Sequence, residues 1–505
     1  MKIDPQLQGA SPDLDDAPHA LAGPDVGLRV VRGASIRAGG YGLGMLFTAV
    51  GSIFLLRYLG VANFGRYATV TSLVAIAGGL TDAGLSAIAG RDLTLRRPGK
   101  ERRELLANLL GLRLVLTPLG VAAAATFAVA AGYERVLVAG TVLAGIGATL
   151  STYQTTAALP LSIDLRIGRA TAPEVLKQAA MLVAIVLLVA VGAGLLPFFG
   201  ITIAAAAVGL AITPSLVGSE FVWRPTFVRR DWQALVREAL PLGAAVALGA
   251  VYFRLMIVLM SLLTSAIATG LFATSARIVE MLYAVGGLMA TTALPVLAVA
   301  AADRVRLDYI VQRMTEIAVI GSCYLALVVA VLARPVLALL GGSQYRAAAP
   351  ILQIQLVALI PIFVTYVWQL ALISVRRQSA MVWSTGFALV VGLMSGLTLI
   401  PAYGAKGAAV AAVAAEAAAV LCLVVVLARE PGTSLPRFGF LWKPAAASAL
   451  GIAVSFPTGL PALAAAVTAT IAYFGVLALT RAIPSEVGDA FVSSWRRARH
   501  GSPPR

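Results

Sequence analysis

The sequence predicts an all-α polytopic membrane protein of about fourteen transmembrane helices. They form two parallel six-helix lobes in pseudo-two-fold repeat, plus two extra C-terminal helices. Three observations carry this. Hydrophobic residues fill 59% of 505 positions and charged residues only 12%, with a mean hydropathy of +0.90. A soluble domain needs roughly a quarter of its residues charged, so lipid is the solvent. Apolar stretches long enough to cross a bilayer recur along the chain. Finally, LLPFFGITIAAAAVGL from Leu195 returns as LIPAYGAKGAAVAAVA from Leu399, with Pro197 falling on Pro401 and Gly200 on Gly404. A second pair, around Gly65 and Gly270, agrees on the offset to within one residue.

Taken in order, the predicted spans are 38–56, 67–90, 105–130, 136–158, 174–195 and 198–219, then 241–263, 270–298, 315–333, 350–374, 380–400 and 405–428, and finally 442–459 and 462–481. Pro197 divides the fifth from the sixth, because proline removes a helix donor and crowds the preceding turn. The polar, acidic, proline-containing segment 1–32 is a disordered cytoplasmic tail, not a cleavable signal, since no basic start precedes an apolar core. Residues 33–219 form the first lobe, 220–430 the second, 431–482 helices 13 and 14, and 483–505 a basic cytoplasmic tail. Pro457 and Pro461 mark the turn between the last two helices. Runs such as AAVAAVAAEAAAV at 408–420 supply small side chains that let helices approach closely.

The formal net charge is +16. Assigning alternate loops to the cytoplasm collects twenty Lys and Arg there, including Arg376 and Arg377, against six on the other side: Arg57, Arg66, Arg135, Arg334, Arg346 and Lys406. That asymmetry is the positive-inside pattern and puts both termini in the cytoplasm. The basic balance therefore reflects topology and anionic lipid, not nucleic acid.

Catalytic signatures are missing. The two histidines, His19 and His500, lie in the tails, so no imidazole serves as base or metal ligand in the membrane. There is no phosphate-cradling GxxxxGK[ST] loop, and GAKG at 404–407 precedes a helix facing the wrong compartment. Cys323 and Cys422 fall inside spans and behave as small hydrophobes. No cofactor or metal site is expected. A duplicated membrane bundle suits alternating access between two similar halves, with a site between them.

RYLGVANFGRYATV (57–70) and GGLTDAGLSAIAGRDL (78–93) resemble the start of the oligosaccharide flippases. That family belongs to the multidrug/oligosaccharidyl-lipid/polysaccharide (MOP) exporter superfamily. VYFRLMIVLMSLLTSAIATGLFATSARIVE (251–280) is similar to its seventh and eighth helices, LLGGSQYRAAAPILQIQLVALIP (339–361) to the approach to its tenth, and LIPAYGAKGAAVAAVAAE (399–416) to the start of its twelfth. The resemblance covers about 35–430. It implies a non-enzymatic carrier of the bacterial inner membrane that flips undecaprenyl-pyrophosphate-linked repeat units for O-antigen, capsule or exopolysaccharide synthesis. Its partners would be the lipid-linked oligosaccharide, membrane lipids, a polysaccharide polymerase and chain-length proteins. The chain departs from the family where an acid often stands two residues after the seventh-helix arginine: Met256 occupies that place after Arg254. A peptidoglycan-precursor or multidrug exporter of the same superfamily is the alternative. A membrane polymerase or glycosyltransferase is disfavoured by the lack of a large acidic outer loop.

A charge at the bilayer centre costs about 2.5–3.5 kcal/mol on insertion scales, so each needs a partner or a purpose. Arg277 and Glu280 stand i, i+3 and can neutralise each other. Lys177 lies close enough to the cytoplasmic end to snorkel. Arg254 is mid-helix with no acid within four residues, and its fork suits pyrophosphate oxygens; a buried pair with Glu416 or Asp82 is the competing reading. Arg113 is likewise without a local partner, near the cytoplasmic face. Arg254, Arg113 and Arg277 are the candidate substrate cations. Glu416, Glu280 and Asp82 are candidates for ion coupling, with Glu416 a desolvated carboxyl able to carry a proton and Asp82 also a structural group at the Thr81–Gly84 break. Tyr153, Gln154, Gln353, Gln355, Tyr366, Trp368 and Gln369 are candidates to meet sugar hydroxyls.

Overall fold

The computed structural model describes residues 26–482 apart from 97, 165–166, 301–302, 375–378, 430–436 and 456–460. The proposed tails up to residue 25 and from residue 483, His19, His500, Arg376, Arg377 and Pro457 lie outside the described residues. Among the described residues every regular element is helical. Ten helices are long and apolar enough to cross a membrane, or eleven if one bent pair counts as a single span. The expected fourteen crossings exceed that count.

The first half runs α1 (Val26–Asp82), α2 (Leu85–Leu95), α3 (Lys100–Ala130), α4 (Arg135–Ala157), α5 (Leu159–Ile163), α6 (Ile167–Ala190), α7 (Leu195–Phe199) and α8 (Ile201–Val217). The second runs α9 (Arg229–Leu263), α10 (Ala266–Ala300), α11 (Arg304–Val331), α12 (Ala333–Gly341), α13 (Ala349–Leu356), α14 (Leu359–Ser374) and α15 (Ser379–Arg429). α16 (Trp442–Ser455) and α17 (Ala462–Leu479) close the chain, packing on each other and on α11.

Two helices are far longer than the roughly 20 residues a bilayer needs: α1 has 57 residues and α15 has 51. Each is broken by one glycine outside helical geometry, Gly60 (φ 69°) and Gly404 (φ 56°), where a side chain would be strained. The kink at Gly60 is answered in the second half by the full break between α9 and α10 at Thr264–Ser265. Gly404 answers Gly200, where α7 meets α8.

Three boundaries depart from expectation. The N-terminal segment expected to be unstructured to Arg32 is already helical from Val26, since no proline interrupts the chain between Pro24 and Pro98. The division placed at Pro197 falls instead at Val191–Gly194, because Pro197 sits in the first turn of α7, where no helical donor is required. The stretch 334–349, expected as a loop, folds into α12 and a 3₁₀ turn over Ser343–Ala348. The break expected at Thr81–Gly84 is present, with Ala83 and Gly84 both at positive φ between α1 and α2.

α1 is the hub, packing on α6, α3 and α4 of its own half and on α9, α10 and α12 of the other. It meets α10 backbone to backbone. A Cβ built on Gly65 would overlap the Ala266 carbonyl oxygen and crowd the Gly270 nitrogen, and one on Gly270 would overlap the Val61 carbonyl oxygen. The two repeat-related glycines thus meet face to face. Beside them Tyr345 Oη donates to the Leu56 carbonyl at 3.1 Å and Arg57 Nη2 to the Leu339 carbonyl at 2.7 Å. At the opposite end of the bundle the halves are joined again. Arg91 pairs with Glu238, and Trp232 Nε1 donates to the Asn108 carbonyl at 3.1 Å. Between these ends α1 and α9 stay packed, Gly79 against Ala250 and Leu73 beside Val258, so the space between the halves opens to one side of that seam.

Candidate functional site

The space between the halves is a cavity of about 770 Å³, walled by α1 (Gly40–Ala49), α6 (Ala170–Gln178) and α10 (Arg277, Glu280, Met281). A second cavity of about 250 Å³ shares Thr48, Gln178, Arg277 and Glu280 with the first, and adds Arg254, Phe64 and Tyr67. A chamber of about 80 Å³ lies inside the second half, lined by Tyr252, Tyr283, Gln355 and Glu416. Glu280 borders all three.

The charges are paired differently from the expectation. Glu280 Oε1 accepts from Arg254 Nη1 at 2.8 Å, across from α10 to α9. Neither Glu416 nor Asp82 is the partner of Arg254, and Arg277 does not pair with Glu280. Among the described residues Arg277 makes no ion pair or side-chain hydrogen bond, while lining both the 770 Å³ and the 250 Å³ cavities. The physical reason is the hairpin. Folding the chain back at Thr264–Ser265 brings Arg254 level with Ser275, within side-chain reach of the next turns of α10, and the guanidinium takes the acid facing it. Local i, i+3 spacing could not show this, but the hairpin register could.

Arg113, expected without a partner, has an acid and hydroxyls on its two terminal nitrogens, while its Nε is buried without a partner. It is only 4% exposed. It pairs with Asp82, and Nη2 donates to Ser86 Oγ at 2.6 Å. Ser86 Oγ in turn donates to Asp82 Oδ1 at 2.6 Å. The group ties α3 to both sides of the Ala83–Gly84 break and lies away from the three cavities. Burying a charge is tolerable only with such a partner set, so a local structural demand accounts for both Arg113 and Asp82.

Glu416 lines the chamber together with Tyr252 and Tyr283. Gln355 Oε1, on the same chamber, is buried without a hydrogen-bond partner. Of the other polar candidates, most are engaged within the fold. Tyr153 Oη donates to the Val222 carbonyl, Gln154 Nε2 to Thr213 Oγ1, Gln353 Nε2 to the Ala330 carbonyl and Trp368 Nε1 to Thr315 Oγ1.

Sequence reasoning missed the polar face of α6. Thr171, Glu174 and Gln178 stand at i, i+3 and i+7 and all line the 770 Å³ cavity. The signal was present as helical spacing of polar residues in an apolar span. Lys177 does not simply reach for water; its Nζ lies 2.8 Å from Glu174 Oε2.

Residues 30–301, more than half of the chain, match the family model described as "Polysaccharide biosynthesis protein". No curated protein sequence matches the chain. Solved structures do. The lipid II flippase MurJ in an inward closed conformation aligns at TM-score 0.73 and 12% identity, over 88% of this chain and 98% of its own. An inward-facing multidrug resistance MATE family transporter of the MOP superfamily aligns at TM-score 0.59 and 16% identity, over 76% and 93%. A MOP superfamily transporter from Pyrococcus furiosus aligns at 0.55 and 17%, over 79% and 94%. With the expected resemblance, the helical membrane fold and the cavity between repeat-related halves in agreement, the chain belongs to the polysaccharide biosynthesis protein family and has the fold of MOP superfamily transporters.

Proposed function

We propose that the protein flips undecaprenyl-pyrophosphate-linked oligosaccharide repeat units across the bacterial inner membrane, with both termini cytoplasmic. Two six-helix lobes, 33–219 and 220–430, alternate access to the cavity between them over fourteen crossings. The observation that carries this reading is Arg277. It stands in the cavity between the halves with no acid paired to it, although an uncompensated cation in a membrane span is costly. A pyrophosphate would supply the missing charge, gripped in two parallel hydrogen bonds. Exposed Met45 and Leu46 on α1, and Met281 on α10, line the same cavity and suit an acyl chain that stays in the bilayer.

Rocking requires the two end seals to open in turn, the Gly65–Gly270 contact at one end and the Arg91–Glu238 contact at the other. Glu280 touches both the substrate cavity and the Glu416 chamber, so a proton or cation bound at Glu416 acts one residue away from the Arg254 pair. This supports Glu416 as the coupling group. The fold shared with MurJ keeps a peptidoglycan precursor as the second reading.

The test is flipping of fluorescent undecaprenyl-pyrophosphate glycans in proteoliposomes, read by protection from an impermeant quencher. Wild type is expected to flip them, Arg277→Lys to retain part of the rate and Arg277→Gln to lose it. Undiminished flipping by Arg277→Gln overturns the anion-binding assignment. Exclusive transport of lipid II would select the second reading.

A further inference from the structure

We infer that the α6 face opposite Arg277, built from Glu174 and Gln178 and braced by Thr48 and Lys177, is a sugar-hydroxyl subsite that rejects an acidic first sugar. The inference rests on the transport reading above and adds to it the orientation and charge of the headgroup.

The four side chains form one chain of interactions. Thr48 Oγ1 shares its proton between Gln178 Oε1 at 3.1 Å and the Gly44 carbonyl at 2.9 Å. Gln178 Nε2 donates to Glu174 Oε1 at 3.2 Å. Lys177 Nζ holds Glu174 Oε2 at 2.8 Å. α1 packs tightly over this stretch, since a Cβ at Gly40 would overlap Thr171. The side chains are therefore held in place before any ligand arrives, which is what a recognition wall requires.

Their remaining hydrogen-bonding capacity is lopsided. A carboxylate offers about four lone-pair sites and an amide oxygen two. After the internal bonds, Glu174 keeps about two acceptor sites and Gln178 Oε1 one, against a single spare Gln178 N–H. Glu174 is also 45% exposed, so those acceptors reach the cavity. Of the Glu174–Lys177 pair only the carboxylate lines the cavity, with Lys177 16% exposed behind it, so this acceptor-rich wall presents its negative side, repels phosphate and welcomes hydroxyl donors. Arg277 on the α10 wall has the opposite character. A glycosyl pyrophosphate fits between them in one orientation only, with phosphate toward α10 and sugar hydroxyls toward α6. A hexuronic acid in the first position would set its carboxylate against Glu174.

The experiment uses the full-length protein in proteoliposomes with two undecaprenyl-pyrophosphate disaccharides, identical except that the first sugar is a neutral hexose or the matching hexuronic acid. Wild type should flip the neutral probe about tenfold faster, the size of one unfavourable charged contact. Glu174→Gln should narrow that ratio to within about twofold. Because Glu174→Gln leaves Lys177 without its partner, the double variant Glu174→Gln/Lys177→Met, which removes both charges, should narrow the ratio equally. An unchanged ratio in both variants, or a wild type indifferent to the two probes, overturns the inference and leaves the transport reading standing. Failure of wild type to flip either probe overturns the transport reading and this inference with it.

Discussion

Arg254 on α9 and Glu280 on α10 form a 2.8 Å ion pair across the hairpin of the second half, on the wall of the central cavity. With 27% and 20% of the two side chains exposed, the pair is neither fully dry nor solvent-screened. Removing one partner leaves the other charged in low dielectric, whereas removing both does not. Glu280→Gln alone should therefore lower the yield of folded protein and shift its thermal midpoint down. Arg254→Met/Glu280→Met should recover much of the loss, as read by detergent thermal denaturation. A double variant as unstable as the single would show that the pair does not hold the hairpin.

Arg113 and Asp82 are predicted to act on stability and not on substrate. Breaking a buried pair by removing one side costs about 3–5 kcal/mol, so Arg113→Met and Asp82→Asn should each reduce folded yield severely. Whatever protein folds should keep the wild-type preference among lipid-linked substrates in the flipping assay. A changed preference with normal yield would place these residues in substrate handling.

Gly65 and Gly270 should tolerate no side chain in the state described here. Gly65→Leu and Gly270→Leu are expected to hold open the end of the bundle nearest Gly60 and abolish transport while the protein still folds. In a background with Cys323 and Cys422 replaced by Ser, Thr71→Cys in the cavity reports this through an impermeant maleimide added outside. Labelling should rise several-fold in the leucine variants. Unchanged labelling would mean that this contact is not the outer seal.

Glu416→Gln should uncouple the carrier. Flipping is expected to continue but to lose its response to an imposed proton or sodium gradient, measured in the same vesicles. A response equal to that of wild type removes Glu416 from coupling.

The sequence displayed the scaffold more fully than the site. Apolar runs set the order of the helices, and the acidic, glycine-containing Thr81–Gly84 stretch announced its break, because these are local properties of chain and solvent. Pro197 misled, since proline in a first helical turn breaks nothing. The partners of Arg254 and Arg113, and the lack of one for Arg277, were not local. They depend on which helices face each other, and only the turn at Thr264–Ser265 held that information for Arg254. The α6 wall lay in plain periodicity, but Glu174 and Gln178 look like ordinary membrane-end polar residues until α10 is placed across from them.

The meeting of Gly65 with Gly270 also bears on ancestry. In a two-fold dimer, a residue lying on the axis touches its own copy. These two glycines match in the repeat to within one residue, and they touch. A single-lobe forebear, paired side by side with itself in the membrane, would have placed one glycine against its twin at this point. Fusion then freed the two copies to diverge, but at this contact each still had to make room for the other.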